Sequence, residues 1–318
     1  MRVTFLGTGA GEPTPDPWCT CPACAAARAL GGRDVRLRSA ALINDDLLID
    51  LGPDVPAACA RLGIALGRVQ AALVTHPHRD HLDFGAIGGR DRTWPGTPLP
   101  ALDLYASRAA CDQLANPNGR PYDLAKLRVT PHPIGRGACF TVATGGATAA
   151  DPRLPVGAGT LPACPPRRYD IWTLHANHFE HAGSPDRFEP MLFVVRQTAG
   201  PEVAGRGALP ALLYATDTDT FLPETWRALD RVAAAGVRIG MAVIDGTYGT
   251  RVAGGNHMTT GRMVAHHREL ARRGLLTAGA TRFATHLLHT GNPPHDELAA
   301  LLAPHGIAPA YDGLAVAL

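Results

Sequence analysis

The sequence predicts a mixed, layered α/β sandwich. The first half of the chain is rich in paired apolar runs that suit β-hairpins, while the second half alternates strand-like and helix-like segments. In addition, the segment VTHPHRDHLD (74–83) places polar, ligand-capable side chains directly behind a short apolar run. The sequence shows no tandem repeat of fixed period. We therefore expect one domain over residues 1–318, with its chemistry at the end of a buried strand.

The first half is predicted to begin with a strand that runs into glycines, MRVTFLGTG. The segment SAALINDDLLIDLGPD then predicts a hairpin around an Asn-Asp-Asp turn, with its second strand ending at Asp50. VPAACARLGI has helical spacing, and RVQAALVTH predicts a short strand of the kind found in sheets covered on both faces. The polar cluster thus stands at the carboxyl end of a buried strand.

Residues 92–170 are rich in Pro, Gly and Ala, and we expect an insertion at about 140–168. Regular structure is predicted to return after it. The predicted strands are YDIWTLHANH, MLFVVRQ, ALLYATDTD, MAVIDGTYG, RFATHLLH and GLAVAL. The predicted helices are PETWRALDRVAAAG, TTGRMVAHHRELARRG and HDELAALLAPHG.

Composition narrows the class of protein. Charged residues make up 18% of the chain and hydrophobic residues 46%, which is typical of a globular protein. The formal net charge is +2 and no basic stripe is visible, so nucleic acid is not an expected partner. Neither a membrane span nor a signal peptide is predicted, and we expect a cytoplasmic protein. Seven cysteines without an export signal argue against a disulfide framework and favour metal binding.

The segment His76-Pro77-His78-Arg79-Asp80-His81 carries the strongest chemical signal. In an extended segment, side chains two residues apart project to the same side, so His76 and His78 can hold one cation. A turn after them can direct Asp80 and His81 towards a second cation. The spacing therefore predicts two neighbouring metal sites.

This H-x-H-x-D-H motif resembles that of the metallo-β-lactamase superfamily, in which it follows a strand of a four-layer αββα sandwich. The resemblance implies that His178, in the segment ANH, completes the first metal site. His175 and His181 are nearby alternatives. It also implies that His286, in FATHLLH, completes the second site beside Asp80 and His81.

The same resemblance implies a carboxylate that bridges the two cations, which an anion between two positive charges would stabilise. LLYATDTD supplies Asp217 for this role, with Asp219 as the weaker candidate. Asp50 resembles the family's acidic residue that orients a ligand histidine through its second ring nitrogen. A simple turn-forming role for Asp50 is the alternative.

A separate, structural metal site is indicated by a loop at about 17–26. Cys19, Cys21 and Cys24 place three thiolates within six residues, and a tetrahedral structural zinc needs one more ligand. This C-x-C-x-x-C insertion resembles that of the phosphoribosyl cyclic phosphodiesterases of phosphonate breakdown. That resemblance implies that His289, the second histidine of Thr-His-Leu-Leu-His, is the fourth ligand. It also implies that His257, in GGNHMTT, lies over the metals and contacts the phosphate.

These features predict a metal-dependent phosphodiesterase that opens a small cyclic sugar or nucleoside phosphodiester. Two active-site divalent ions, Mn or Zn with Fe as a further option, would share a water and lower its pKa, with Asp80 and His257 as catalytic residues. One alternative is an iron-dependent oxygenase of the pyrroloquinoline quinone biosynthesis type. Others are an RNA 3′-processing nuclease and a non-catalytic zinc-stabilised binding module. A homodimer is compatible with the resemblance.

Overall fold

The computed structural model describes residues 1–91, 99–146, 164–179, 188–206, 209–250 and 254–318. Over these residues the chain forms two seven-stranded β-sheets with helices between strands. The strands are β1 (Arg2–Gly7), β2 (Ala40–Ile43), β3 (Leu47–Ile49), β4 (Ala71–Leu73), β5 (Leu102–Ala106), β6 (Val129–Pro133), β7 (Cys139–Gly146), β8 (Cys164–His175), β9 (Met191–Ala199), β10 (Ala211–Ala215), β11 (Ile239–Asp245), β12 (Leu276–Thr285), β13 (Ala308–Pro309) and β14 (Ala315–Ala317). The α-helices are α1 (Pro22–Leu30), α2 (Val55–Leu62), α3 (Phe84–Gly88), α4 (Arg108–Ala115), α5 (Pro223–Ala234), α6 (Thr260–Arg272) and α7 (His295–Leu302).

Each sheet combines antiparallel and parallel pairing. The first sheet has the order β14-β1-β2-β3-β4-β5-β6, and the second has the order β13-β12-β11-β10-β9-β8-β7. Strands β3 to β6 run parallel to one another, as do β10 to β13, while the remaining neighbours are antiparallel. Parallel strands present their carboxyl ends at one edge, and that edge of a sheet is where α/β proteins commonly bind ligands.

Side-chain alternation along the strands produces the layers. In β10, Leu212 and Tyr214 pack in a core shared by the two sheets, whereas Leu213 packs with helix residues on the opposite face. Core residues from α5, α6 and α7 cover the second sheet, and residues from α2 and α4 cover the first. The arrangement is helix, sheet, sheet, helix, which confirms the predicted αββα sandwich.

The predicted insertion at 140–168 differs from the structure at both of its ends. Strand β7 extends through Gly146, and β8 begins at Cys164 and pairs with it antiparallel. The glycines and prolines that suggested a loop lie where the register of this pair shifts, and Gly145 and Gly146 have positive φ values. Residues 147–163 lie outside the described residues, so the insertion itself stays a prediction.

Among the residues that the structure describes, we find no helix that combines the length and the apolar character needed to cross a membrane.

Candidate metal centre

The ligand candidates from four separate segments meet at one edge of the sandwich. The H-x-H-x-D-H segment follows β4, and His178 follows β8. Asp217 stands two residues beyond β10, and His286 is the residue directly after β12. Strands β4, β10 and β12 end in buried residues, so the side chains that follow them stand on rigid supports.

The first cluster contains three histidines and one carboxylate oxygen. Nε2 of His76 lies 2.8 Å from Nδ1 of His78, which in turn lies 3.2 Å from Nε2 of His178. Oδ1 of Asp217 lies 3.9 Å from Nε2 of His76 and 3.8 Å from Nε2 of His178. The three ring nitrogens lie close enough together to hold a single cation, and the carboxylate oxygen stands beside two of them.

The second cluster uses the other oxygen of the same aspartate. Oδ2 of Asp217 lies 3.0 Å from Nε2 of His81 and 3.2 Å from Nε2 of His286. Oδ2 of Asp80 lies 3.1 Å and 3.6 Å from the same two nitrogens. Asp217 therefore joins the two clusters through separate oxygens, which is the geometry expected of a bridging carboxylate.

Two buried nitrogens show that the second cluster fits a cation. Nε2 of His81 and Nε2 of His286 are buried, yet neither makes a hydrogen bond of good geometry with any described residue. Carboxylate oxygens stand within 3.2 Å of both nitrogens, but they do not lie in the direction in which a ring N–H would point and so form no hydrogen bond with it. A buried nitrogen without a partner costs free energy, and a metal ion would remove that cost. Imidazole and carboxylate donors suit Mn, Zn and Fe.

Asp50 orients the histidines from behind, as the sequence suggested. Its Oδ2 lies 2.8 Å from Nδ1 of His81, and its carboxylate accepts hydrogen bonds from the backbone N–H and the hydroxyl of Thr75. The Thr75 oxygen in turn lies 3.1 Å from Nδ1 of His76. Because Nδ1 of each histidine donates to these oxygens, the Nε2 lone pairs are left to face the clusters.

The electrostatics of the metal-free centre follow from burial and crowding. Burial lowers the pKa of His76 well below its usual value and lowers that of His178 to about 4, so both are neutral near pH 7. Burial also disfavours charge on His81, but the surrounding carboxylates, Asp217 first, raise its pKa well above the usual value. A cation in the second cluster would replace that proton, so metal binding should strengthen as pH rises.

Backbone conformation at the centre is strained at three of these positions. Asp50, Asp217 and His286 have φ values of 65°, 52° and 57°, in the left-handed region that side chains other than glycine seldom occupy. Such strain is retained where surrounding structure enforces it, and it concentrates at functional sites. Here it turns each side chain back across the end of its strand.

His257 lies over both clusters, and the structure adds two partners that the sequence analysis missed. Nδ1 of His257 lies 3.0 Å from Oδ2 of Asp245 and 3.2 Å from the hydroxyl of Thr247. The same hydroxyl is 2.8 Å from Nδ1 of His286. Burial opposes protonation of His257, but Asp245 outweighs it and raises the pKa. Asp245 ends the apolar strand MAVID, and Asp50 likewise directly follows the apolar strand LLI.

Of the three alternative ligands that the sequence offered, the structure describes Asp219 and His175. Asp219 is engaged by Arg262, whose Nη1 lies 2.6 Å from both carboxylate oxygens. His175 ends β8 and belongs to neither of the two clusters described above. His181 lies outside the described residues, so the choice of His178 rests on the first cluster that it completes.

The cysteine loop forms a separate cluster beside the centre. The sulfurs of Cys19, Cys21 and Cys24 and a ring nitrogen of His289 gather together, and Cys21 Sγ lies 3.4 Å from His289 Nδ1. Burial opposes ionisation of Cys21, but the Cys24 N–H and His289 lower its pKa to about 7. The set could hold one tetrahedral zinc. Because His286 precedes His289 by three residues, one segment serves both the loop and the metal centre.

The fold and the clusters define the class: the chain has the metallo-β-lactamase fold. No model of a known protein family matches it. Among curated proteins, coenzyme PQQ synthesis protein B of Methylobacterium radiotolerans is 34% identical over 149 residues, which are 42% of this chain and 46% of the relative. The chain thus aligns with a little under half the length of that relative.

Three solved structures are similar along the whole chain. A diphosphatase described as new in the PhnP family has 20% identity and a TM-score of 0.64, covering 100% of this chain and 97% of its own. Zn²⁺-bound PqqB from Methylobacterium extorquens has 16% identity and a TM-score of 0.61, covering 100% of both chains. The short form of human tRNase Z has 14% identity and a TM-score of 0.54, covering 100% and 99%.

Proposed function

We propose that the protein is a binuclear metal-dependent phosphodiesterase that hydrolyses a small phosphodiester, with a cyclic sugar or nucleoside phosphate as the first candidate. The observation that carries the proposal is that Asp217 joins two complete ligand clusters through its two oxygens. Two cations bound by these clusters would suit a phosphoryl group, whose nonbridging oxygens carry the charge that must be stabilised.

The two divalent ions would supply a water of lowered pKa and neutralise the phosphate oxygens. His76, His78 and His178 would hold the first ion, and Asp80, His81 and His286 the second. The Asp80 side chain retains 17% exposure, whereas those of His81 and Asp217 retain 3% or less. Asp80 therefore faces the mouth of the centre, where it can orient the attacking water.

His257 would complete the reaction as a proton donor. Its Nδ1 donates to Asp245, so its Nε2 carries the exchangeable proton. Hydrolysis forms a bond from the water oxygen to phosphorus and breaks the bond from phosphorus to the ester oxygen. The departing alkoxide would take a proton from Nε2 of His257, and the proton released by the water would restore the histidine. The raised pKa of His257 favours this role as an acid.

The experiment follows phosphorus NMR signals while the manganese-loaded protein acts on ribose 1,2-cyclic phosphate 5-phosphate and on nucleoside 2′,3′-cyclic phosphates. We expect conversion of a cyclic diester to a monoester, and loss of that conversion in His76→Ala. His132→Ala is the matched control, because His132 pairs with Asp103 on the first sheet, away from the clusters. Absence of turnover on every diester would overturn the proposal.

A second candidate is an iron-dependent oxygenase, which the resemblance to PQQ synthesis protein B favours. Against it, Asp80, His81 and His286 supply a full second cluster that a one-iron oxygenase would not require. Oxygen consumption by iron-loaded protein, together with one iron per chain in addition to the zinc of the cysteine loop, would favour the oxygenase.

An RNA-processing role draws no support from the net charge of +2.

A further inference from the structure

The mouth of the metal centre carries an exposed aromatic ring. Phe179 directly follows the ligand candidate His178 and keeps 44% of its surface exposed. Most large hydrophobic side chains that the structure describes are buried or half-buried, and the other exposed ones are Trp18, Leu30 and Leu301. An exposed phenylalanine beside a catalytic centre therefore requires an explanation in terms of binding.

Contacts fix where this ring stands. The ring centroid of Phe179 lies 4.6 Å from that of His178 and 5.5 Å from that of His78. A second ring, that of Phe188, lies 5.1 Å from His78. Two phenyl rings thus border the first cluster beside His78. The second cluster, which contains Asp80 and His81, is polar. A phosphate held between the clusters would place its ester group within reach of the phenyl rings.

The backbone holds Phe179 there at a cost. Its φ of 46° lies in the left-handed region, which is unfavourable for a bulky side chain. Glu189, which follows Phe188, has the same φ of 46°. Both phenylalanines are thus associated with strained backbone at the mouth of the site, and strain of this kind concentrates where ligands bind.

We infer that Phe179 and Phe188 form a subsite for a planar aromatic group attached to the phosphate, either a nucleobase or a phenyl ester. This inference rests on the proposed phosphodiesterase function and narrows its substrate class. An aromatic group would cover the exposed ring and gain the offset-stacked or edge-to-face contacts that aromatic pairs favour. A cationic group would also be attracted to a phenyl face, but the two metal ions beside it would repel a cation.

The test uses three diesters with one leaving group: methyl, phenyl and thymidine 5′ esters of p-nitrophenyl phosphate. We expect kcat/KM for the aromatic esters to exceed that for the methyl ester by about tenfold. Phe179→Ala should bring the three values together, and Phe179→Trp should preserve the preference. Leu301→Ala, which alters an exposed residue on α7, should retain the wild-type ratio. A higher kcat/KM for the thymidine ester than for the phenyl ester would identify a nucleobase as the preferred occupant of the subsite. The reverse order would identify a simple phenyl ring.

A binding measurement separates failure of this inference from failure of the proposed function. Calorimetry of the manganese-loaded protein with phenyl phosphate, AMP and methyl phosphate needs no turnover. The two aromatic monoesters, or one of them, should bind about tenfold more tightly than methyl phosphate, and Phe179→Ala should remove that difference. Equal affinity for all three ligands in the wild-type protein, or an aromatic preference that survives Phe179→Ala, would overturn the subsite whether or not any diester is hydrolysed.

Discussion

Oδ2 of Asp245 lies 3.0 Å from Nδ1 of His257, and both residues are buried beside the metal centre. The other carboxylate oxygen, Oδ1, accepts backbone hydrogen bonds from Thr247 at 3.0 Å and Met258 at 3.2 Å. The Asp245 carboxylate is therefore held by backbone groups that come before and after His257 along the chain. Its orientation determines which nitrogen of His257 faces the substrate.

Asp245→Asn should lower kcat by about 10 to 100-fold, the usual effect of losing a partner that orients a catalytic or ligand histidine. The amide oxygen can keep the bonds to Thr247 and Met258, but the amide N–H groups would then face Nδ1 of His257. That nitrogen would have to become an acceptor, so the ring would hold a single proton on Nε2 and lose the imidazolium form, which is the stronger acid. Steady-state kinetics and metal analysis check this: metal content should be retained, and loss of an active-site ion would contradict the assignment.

A similar arrangement recurs in the first half of the chain. Asp50 accepts from the backbone N–H of Thr75 as Asp245 does from that of Thr247, and each threonine hydroxyl contacts ring nitrogens of two histidines. Both aspartates stand at the ends of apolar strands. The two sheets therefore support the centre in similar ways, each with a buried carboxylate and a hydroxyl.

This recurrence shows what could be predicted from the sequence. The H-x-H-x-D-H segment could be recognised because its ligands are close along the chain. The resemblance to the metallo-β-lactamase superfamily then led to Asp217 and His286, which both stand at strand ends. Asp245 had the same strand-end signal, but its role depends on His257, which lies on a loop before another helix. The exposed ring of Phe179 could not be predicted, because it depends on a left-handed backbone conformation that no local pattern indicated.

Gly52→Ala should disrupt the second cluster. A Cβ at Gly52 would lie 1.9 Å from the backbone oxygen of Asp80, so the Asp80-His81 turn must move. We expect lower metal occupancy and a large loss of activity, measured by elemental analysis and kinetics. Gly89→Ala is the matched control, since nothing lies within 4 Å of a Cβ there. Full metal content in Gly52→Ala would argue against the close approach.

Asp217→Asn and Asp219→Asn should have opposite consequences. Asp217 faces both clusters, so the amide would replace one anionic oxygen and weaken both sites. We expect metal content to fall and activity to drop by at least about 100-fold, given several kcal/mol of lost charge stabilisation. Asp219 pairs with Arg262, which is partly exposed, so its amide should keep both ions. If the Asp219 variant lost the ions, the bridging role would have to be reassigned.

Cys24→Ser should remove one metal equivalent without removing the other two. Cys24 is buried in the cysteine loop, and a hydroxyl is a poor replacement for a thiolate on zinc. We expect a lower melting temperature, because zinc bound by the folded loop contributes to stability. Cys139→Ser provides the control, since Cys139 is exposed on β7. Unchanged zinc content in Cys24→Ser would exclude the predicted Cys3His site.

His267 should make the fold sensitive to acid independently of the metals. It is fully buried on α6, and burial lowers its pKa to about 3. In the unfolded chain the pKa of His267 is near 6.5, so this side chain binds a proton at pH values at which it stays neutral in the folded chain. The free energy of unfolding therefore falls as pH drops from about 6.5 towards 3. The difference amounts to about 2 kcal/mol at pH 5, at 1.36 kcal/mol per pH unit. His267→Leu removes this titration while keeping a buried side chain of similar size. Urea unfolding of metal-free protein at pH 7.5 and pH 5 should show a smaller loss in the variant than in the wild type, and equal losses would mean that His267 does not titrate across this range.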